Sequence, residues 1–450
     1  MAGRRWIGEW DPEDEVFWAG AGERIARRNL FFSVLSEHIG FSVWTLWSVL
    51  VLFMGPEYGL SPADKFLLTS VVTLVGAVAR VPYTFAVALF GGRNWTIVSA
   101  SLLLVPTVAA FVVMHPGTSF STFLWVGLLA GIGGGNFASS MTNINAFFPM
   151  REKGWALGLN AGGGNVGVPV IQLAALAVIG AGGGPRVLLG IYIPLIVVAA
   201  VLAALFMDNL ASVKNDTGAA VDAAKDAHTW IMAFLYVGTF GSFIGYSFAF
   251  GQVLTGQFGR TPLQAAYLTF IGPLLGSLVR PLGGRLADRY GGARITLWNF
   301  VAMAAATGAL VAAGMRGSLP LFVAVFVVLF ALSGLGNGST YKMIPGIFQA
   351  NALAGGLVGE EAVAHARRLS GAAMGLIGAV GALGGVGINL AFRQSFLAHG
   401  SGTAAFAAFL VFYGAAFLVT YAVYLRRPGG EHVTSGVAAG REPRLGGAEV

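Results

Sequence analysis

The chain has 450 residues, of which 56% are hydrophobic and only 10% charged, against about 25% charged in an ordinary soluble protein. So little charge cannot cover a water-exposed surface, so most of the exterior must face lipid, and the net charge of +7 does not point to nucleic acid. Cysteine is absent, the six histidines have no metal-ligand spacing and there is no nucleotide-binding loop, which argues against an enzyme, a metal site or a cofactor.

Residues 1–28 read as a polar tail carrying both signs of charge. The Arg4-Arg5 pair is followed by no short apolar run with a cleavage site, so the first apolar stretch is expected to insert and stay. Runs long enough to span a bilayer then recur about every 30 residues, at about 20 apolar residues per crossing. Spans 1 to 6 fall near 29–54, 66–90, 95–114, 122–149, 155–179 and 187–207. Spans 7 to 12 fall near 228–254, 263–287, 294–314, 319–348, 368–393 and 402–425. The polar stretch 208–227 reads as a linker between two six-helix halves, 29–207 and 228–425, and 426–450 as a C-terminal tail. The expected fold is an all-α membrane protein with 12 transmembrane helices in two pseudo-symmetric bundles.

Basic residues alternate in density from loop to loop. Arg4, Arg5, Arg24, Arg27, Arg28, Arg151, Lys153, Arg289, Arg294, Arg367, Arg368, Arg426, Arg427, Arg441 and Arg444 fall on one side. The other side has Lys65, Arg186, Arg260 and Arg316, so both termini are expected in the cytoplasm.

The halves repeat. Arg80 precedes Gly91-Gly92 by eleven residues, and Arg280 precedes Gly291-Gly292 by the same interval, an offset of 200. Gly135-Asn136 and Gly336-Asn337 are 201 apart. The glycine-rich openings of spans 5 and 11, at Gly154 and Gly371, are 217 apart, the difference being assigned to a polar insertion around Glu360, Glu361 and His365. Duplicated six-span halves are a transporter architecture with the substrate near the midplane.

Arg80 and Arg280 lie inside apolar runs, Arg80 about 16 Å from its glycine-marked end at 1.5 Å per residue. A mid-membrane arginine costs roughly 2.5–3.5 kcal/mol on insertion scales and stays charged. A structural ion pair is one reading, but only Glu37 is a deep enough acid for two guanidiniums. Anion binding is the other, since the guanidinium fork grips a planar oxyanion on its edges.

Glycine runs in spans 4, 5, 10 and 11 let helices touch and slide and leave only a small cavity. Asn165 has no counterpart in the repeat, Ala382 standing there, which makes it either an asymmetric ligand or an interhelical hydrogen bonder. Tyr236 and Phe240 share one face of span 7 and by spacing alone read as packing. Glu37-His38 is the one acid–imidazole pair within a span, open to proton coupling or to a role in fold or gating. Gly284-Arg285-Leu286-Ala287-Asp288-Arg289 closes span 8, either as a latch between helix ends or as a solvated loop.

That closing segment resembles the loop motif of the major facilitator superfamily, degenerate in the first half where Ala88 replaces the aspartate. Gly135-Asn136-Phe137 to Pro149, then Ala156-Leu157-Gly158-Leu159-Asn160-Ala161-Gly162-Gly163-Gly164-Asn165, resembles the signature of the nitrate/nitrite porter family. Gly334 to Thr340 and Gly375 to Gly387 match its companion. The resemblance implies the major facilitator fold and nitrate and nitrite as substrates in a lipid bilayer. It implies that Arg80 and Arg280 hold the anion, Asn165 and Tyr236 hydrogen-bond it, and Phe137 and Phe240 wall its faces. Gly162, Gly164 and Gly381 would let spans 5 and 11 move, with Asp288 in the loop motif. The expectation is a monomeric nitrate/nitrite antiporter of the inner membrane. Proton-coupled symport and an anion-binding sensor are the alternatives.

Overall fold

The computed structural model describes residues 5–213 and 216–426. Arg4, Arg427, Arg441 and Arg444, used above for orientation, and positions 214–215 of the linker lie outside the described residues.

Among the described residues, 12 helices are long and apolar enough to cross a membrane. Spans 1 to 6 are Glu15–Phe53, Pro62–Phe90, Gly92–Val113, Phe120–Phe147, Arg151–Gly180 and Pro185–Phe206. Spans 7 to 12 are Ala227–Phe258, Pro262–Tyr290, Gly292–Met315, Leu319–Ala354, Gly359–His399 and Thr403–Leu425. An even count puts both chain ends on one face of the bundle, here called the terminal face.

The repeat read from sequence has structural form. Spans 2 and 8 both open with a capping box, Ser61 with Asp64 and Thr261 with Gln264, each followed by proline at the first helical position. The side chain satisfies an orphan backbone donor, and proline loses nothing where no helical partner exists. Both spans stop at a glycine with positive φ, Gly91 at 86° and Gly291 at 91°, a conformation that strains any residue with a Cβ. Local chemistry thus fixes the lengths of the two arginine-bearing helices.

Three segments read as polar loop or tail carry structure. Span 1 begins well before residue 29, and its extension packs on the span 4–5 turn. Trp10 Nε1 donates to the Phe147 carbonyl at 3.3 Å and Trp18 Nε1 to Glu152 at 3.0 Å. Trp6–Ile7 pairs in parallel with Asn209–Leu210 of the linker, and Arg28 bridges to Asp208 at 2.5 Å. The linker also holds a helix, Thr217–Lys225, capped by Asp216. The insertion around Glu360, Glu361 and His365 is the opening of span 11, whose first turn the two acids favour at the positive end of the dipole.

The halves meet along spans 2 and 11, which run antiparallel in strict register. Phe66 stacks on Phe392 at 5.6 Å, Thr69 donates to Asn389 at 3.1 Å, and Arg80 donates to the Gly378 carbonyl at 3.1 Å. Gln252 of span 7 donates to Thr69 at 3.2 Å, and Gln172 of span 5 to the Ser247 carbonyl at 3.2 Å. Towards the terminal face the contact loosens. Thr84 stands 3.9 Å from where a Cβ on Gly375 would be, and at Gly371 nothing lies within 4 Å. Along spans 2 and 11 the packing is therefore tighter on the far side than on the terminal side.

Candidate functional site

Arg80 projects from the middle of span 2 and is 1% exposed. Its guanidinium carbon lies 4.7 Å from the Phe137 ring, 4.8 Å from Phe240 and 5.6 Å from Trp44. Each ring face carries partial negative charge, so the cation is held without a counter-ion, at about 0.5–2 kcal/mol per favourable contact. One of its five N–H donors reaches Gly378, and Nε and Nη2 have no protein partner.

Arg280 is 9% exposed and extends from span 8. Its Nη2 donates to the Tyr236 hydroxyl at 3.3 Å, and Nη1 has no protein partner. Tyr236 stacks on Phe240 with centroids 5.1 Å apart and planes at 10°. Phe240 in turn lies 6.2 Å from Phe137. The chain Arg80–Phe137–Phe240–Tyr236–Arg280 is thus continuous across the seam between halves. Span 7 forms a π-helical turn, Val237–Gly241, at this point. Such turns re-aim side chains and cluster at functional sites.

Among the described residues neither arginine forms an ion pair, so the structural-pair reading has no geometry behind it. Two unpaired buried cations with free N–H donors are the electrostatic inverse of a small anion. Asn165 is 1% exposed with both amide atoms lacking a protein partner, so the interhelical hydrogen bond expected as its structural role is not made. Its residue seven places on, Gln172, shares its face of span 5 and reaches Ser247 in the other half, so Asn165 also faces the seam. It makes no hydrogen bond to either arginine.

Residues 30–386 match the Major Facilitator Superfamily. The nitrate/nitrite transporter NarU of Salmonella typhimurium is 40% identical, covering 94% of this chain and 96% of its own. A probable nitrate/nitrite antiporter, NarK2 of Thermus thermophilus, is 32% identical over 94% of this chain and 97% of its own. The chain belongs to the nitrate/nitrite porter family of that superfamily. It is a transporter-family protein rather than an enzyme. The fold also matches the crystal structure of a D-xylose–proton symporter, with a TM-score of 0.64, 15% identity, and 87% of this chain and 97% of that one covered. That likeness concerns the fold alone.

Within this porter family framework the remaining candidates separate. Gly164 and Gly381 are pressed by side chains singled out in the sequence: a Cβ on Gly164 would strike the Glu37 carboxylate, and one on Gly381 the Tyr236 ring. Gly162 meets nothing within 4 Å and faces open space. Asp288 pairs with Lys342 of span 10 at 3.0 Å, both half-exposed, which gives the latch reading a partner. Glu37 is buried within electrostatic reach of Arg80 and Arg280. Its Oε2 accepts from Ser140 and, at 2.7 Å, from Asn160. His38 turns away from it to the Gly163 carbonyl at 3.3 Å, so the two residues do not act as a pair.

The sequence reading missed Trp44, Tyr341 and the Gly378 carbonyl. Tyr341 sits 5.5 Å from Tyr236, four residues beyond Asn337 and so on the same face of span 10. That spacing could have found it. A backbone carbonyl leaves no sequence signal. The rings of Phe137 and Phe240 rest on the Arg80 guanidinium in this conformation, sharing with it the wall they were expected to offer the anion.

Proposed function

We propose that this chain exchanges nitrate and nitrite across a cell's inner membrane by alternating access, as a monomer with both chain ends in the cytoplasm. The observation that carries the reading is the pair of buried guanidiniums without counter-ions, with free N–H donors on both sides of one seam. A planar anion of one negative charge fits between two forks, and the Tyr236 hydroxyl and the Asn165 amide supply neutral hydrogen bonds. Phe137, Phe240 and Trp44 exclude water, which strengthens each of these bonds. The names of the relatives, nitrate/nitrite transporter and probable nitrate/nitrite antiporter, support the choice of anion. The density of arginine and lysine on the terminal face supports a cytoplasmic assignment for it.

Exchange follows from the electrostatics. With the site empty, two cations without an ion-pair partner oppose the occluded state through which the halves must pass. With an anion bound, the charge is halved and the passage opens. Proteoliposomes loaded with nitrite, nitrate or neither test this. Uptake of external nitrate is expected only with an internal anion. Accumulation into anion-free vesicles driven by a pH gradient alone would replace exchange by proton symport, and binding without flux would make the protein a sensor.

A further inference from the structure

Away from the arginines, spans 1, 3 and 4 enclose a second polar cavity, wide enough for about one water, lined by Ser33, Ser36, Glu37, Asn136, Ser139 and Ser140. Ser33, Ser36 and Glu37 are spaced i, i+3, i+4 on span 1, and Asn136, Ser139 and Ser140 repeat the spacing on span 4, so two polar helix faces oppose each other. Glu37 Oε2 is held by Ser140 and Asn160, which fixes the carboxylate's orientation. Its Oε1 has no protein partner, and neither do Asn136 Oδ1, Ser33 Oγ and Ser36 Oγ. Those four residues are 1%, 4%, 1% and 4% exposed. Asn136 Oδ1 can only accept, and so can Glu37 Oε1 once the carboxyl is ionised. A buried anionic oxygen facing other oxygens is costly unless something positive joins it. All-oxygen donors select a hard cation, and one carboxylate matches one positive charge.

We propose that this cavity is a second ion site that binds a sodium-sized monovalent metal cation and thereby tightens anion binding. The proposal rests on the nitrate/nitrite reading of the main site. The coupling is electrostatic. Glu37 is within reach of Arg80 and Arg280, and when bare it competes with the anion for their attraction. A cation at Glu37 cancels that competition. Every lining residue belongs to the first six spans, so the site stays within one half when the halves rock. The cation therefore acts as a modulator of affinity rather than as cargo. The charged and titratable groups facing Glu37 are the two arginines; His38 on its own helix bonds elsewhere.

Nitrate binding to the purified full chain, measured at fixed pH in sodium and in choline salts, tests it. Sodium is expected to lower the nitrate Kd by about fivefold or more, within the usual range of coupling between sites. Glu37→Gln should bind nitrate equally in both salts, and Ser36→Ala should need more sodium for the same effect. Equal nitrate affinity in sodium and choline for the unaltered chain overturns the inference, as does an affinity that follows pH and ignores sodium, which would make the ligand a proton. If Glu37→Gln fails to fold, the Ser36→Ala shift and the sodium titration of the unaltered chain still decide. A protein that binds no nitrate in either salt fails the main reading instead.

Discussion

The two halves start from the same plan and diverge at particular positions, Glu37 and Tyr236 among them. Trp44, Trp47 and Ser48 of span 1 fall 199 residues before Phe243, Tyr246 and Ser247 of span 7, and the same offset sets Glu37 opposite Tyr236. The surroundings agree. Glu37 accepts from Ser140 and crowds Gly164; Tyr236 packs on Tyr341 and crowds Gly381, and these partners are 201 and 217 residues apart. One pocket built twice thus holds a carboxylate in the first half and a phenol in the second. The phenol turns to Arg280 and accepts its hydrogen bond. The carboxylate turns away from Arg80 to Ser140 and Asn160, leaving that guanidinium to aromatic rings. Duplication supplied the scaffold, and the chemistry lies in what the copies no longer share.

Substitutions can break or sharpen this equivalence, beginning with the largest effect. Arg80→Lys and Arg280→Lys each keep the charge and lose the planar fork, so nitrite–nitrate counterflow should fall on the order of 100-fold in either half. Loss in one half only would mean that the two arginines are not partners. Next come the glycines. Gly164→Ala and Gly381→Ala each force a methyl into Glu37 or Tyr236, and overpacking of this kind costs about 1–3 kcal/mol, read as a lowered thermal midpoint together with slower transport. Gly162→Ala, with open space beside it, should change stability by no more than about 0.5 kcal/mol. Tyr236→Phe retains the stack on Phe240 and removes the oxygen that Arg280 reaches; nitrate affinity should drop by about fivefold, near 1 kcal/mol, in equilibrium binding.

Smaller effects belong to the terminal face, where the halves also differ. The second half joins spans 8 and 10 through Asp288 and Lys342; the first half has Ala88 and Met141 there and is braced instead by the Trp6–Ile7 strand pair and Arg28–Asp208. Asp288→Asn should cost about 0.2–1 kcal/mol, since the pair is solvated, and should shift cysteine-accessibility patterns on the terminal face more than it shifts the thermal midpoint. Asp216 is held at a pKa of about 2 by its hydrogen bonds from Arg368 and from the Ala219 amide. Its stabilising effect is fully present above about 4, the unfolded value, and is lost as pH falls through about 2, so thermal scans between pH 5 and 8 should show no step from this pair.

Much of this was legible in the residues. Hydropathy located all 12 spans because lipid demands long apolar helices whatever their packing. The arginines stood out because a buried permanent charge has few inexpensive explanations. Asn165 was visible as a break in the repeat and as part of the signature shared with the porter family. The ordered tail escaped notice because Trp6, Trp10 and Trp18 are scattered among acids and give no helical or alternating period; their partners, Asn209, Phe147 and Phe148, are remote in sequence. The opposing triplets around Glu37 were readable as spacing on two separate helices. Only the fold brings them face to face. The turn of the carboxylate away from the arginines has no sequence signal, because a rotamer is decided by neighbours.

Arg80 and Arg280 have one further consequence, an electrical one. Their charges are fixed to the protein, so each reorientation of the site displaces the same residual charge whichever anion is aboard. The outward stroke with one anion and the return stroke with the other then carry equal and opposite gating currents. A one-for-one exchange of monovalent anions sums to zero and runs downhill on concentration alone, indifferent to the membrane potential that would otherwise resist any anion entering the cell.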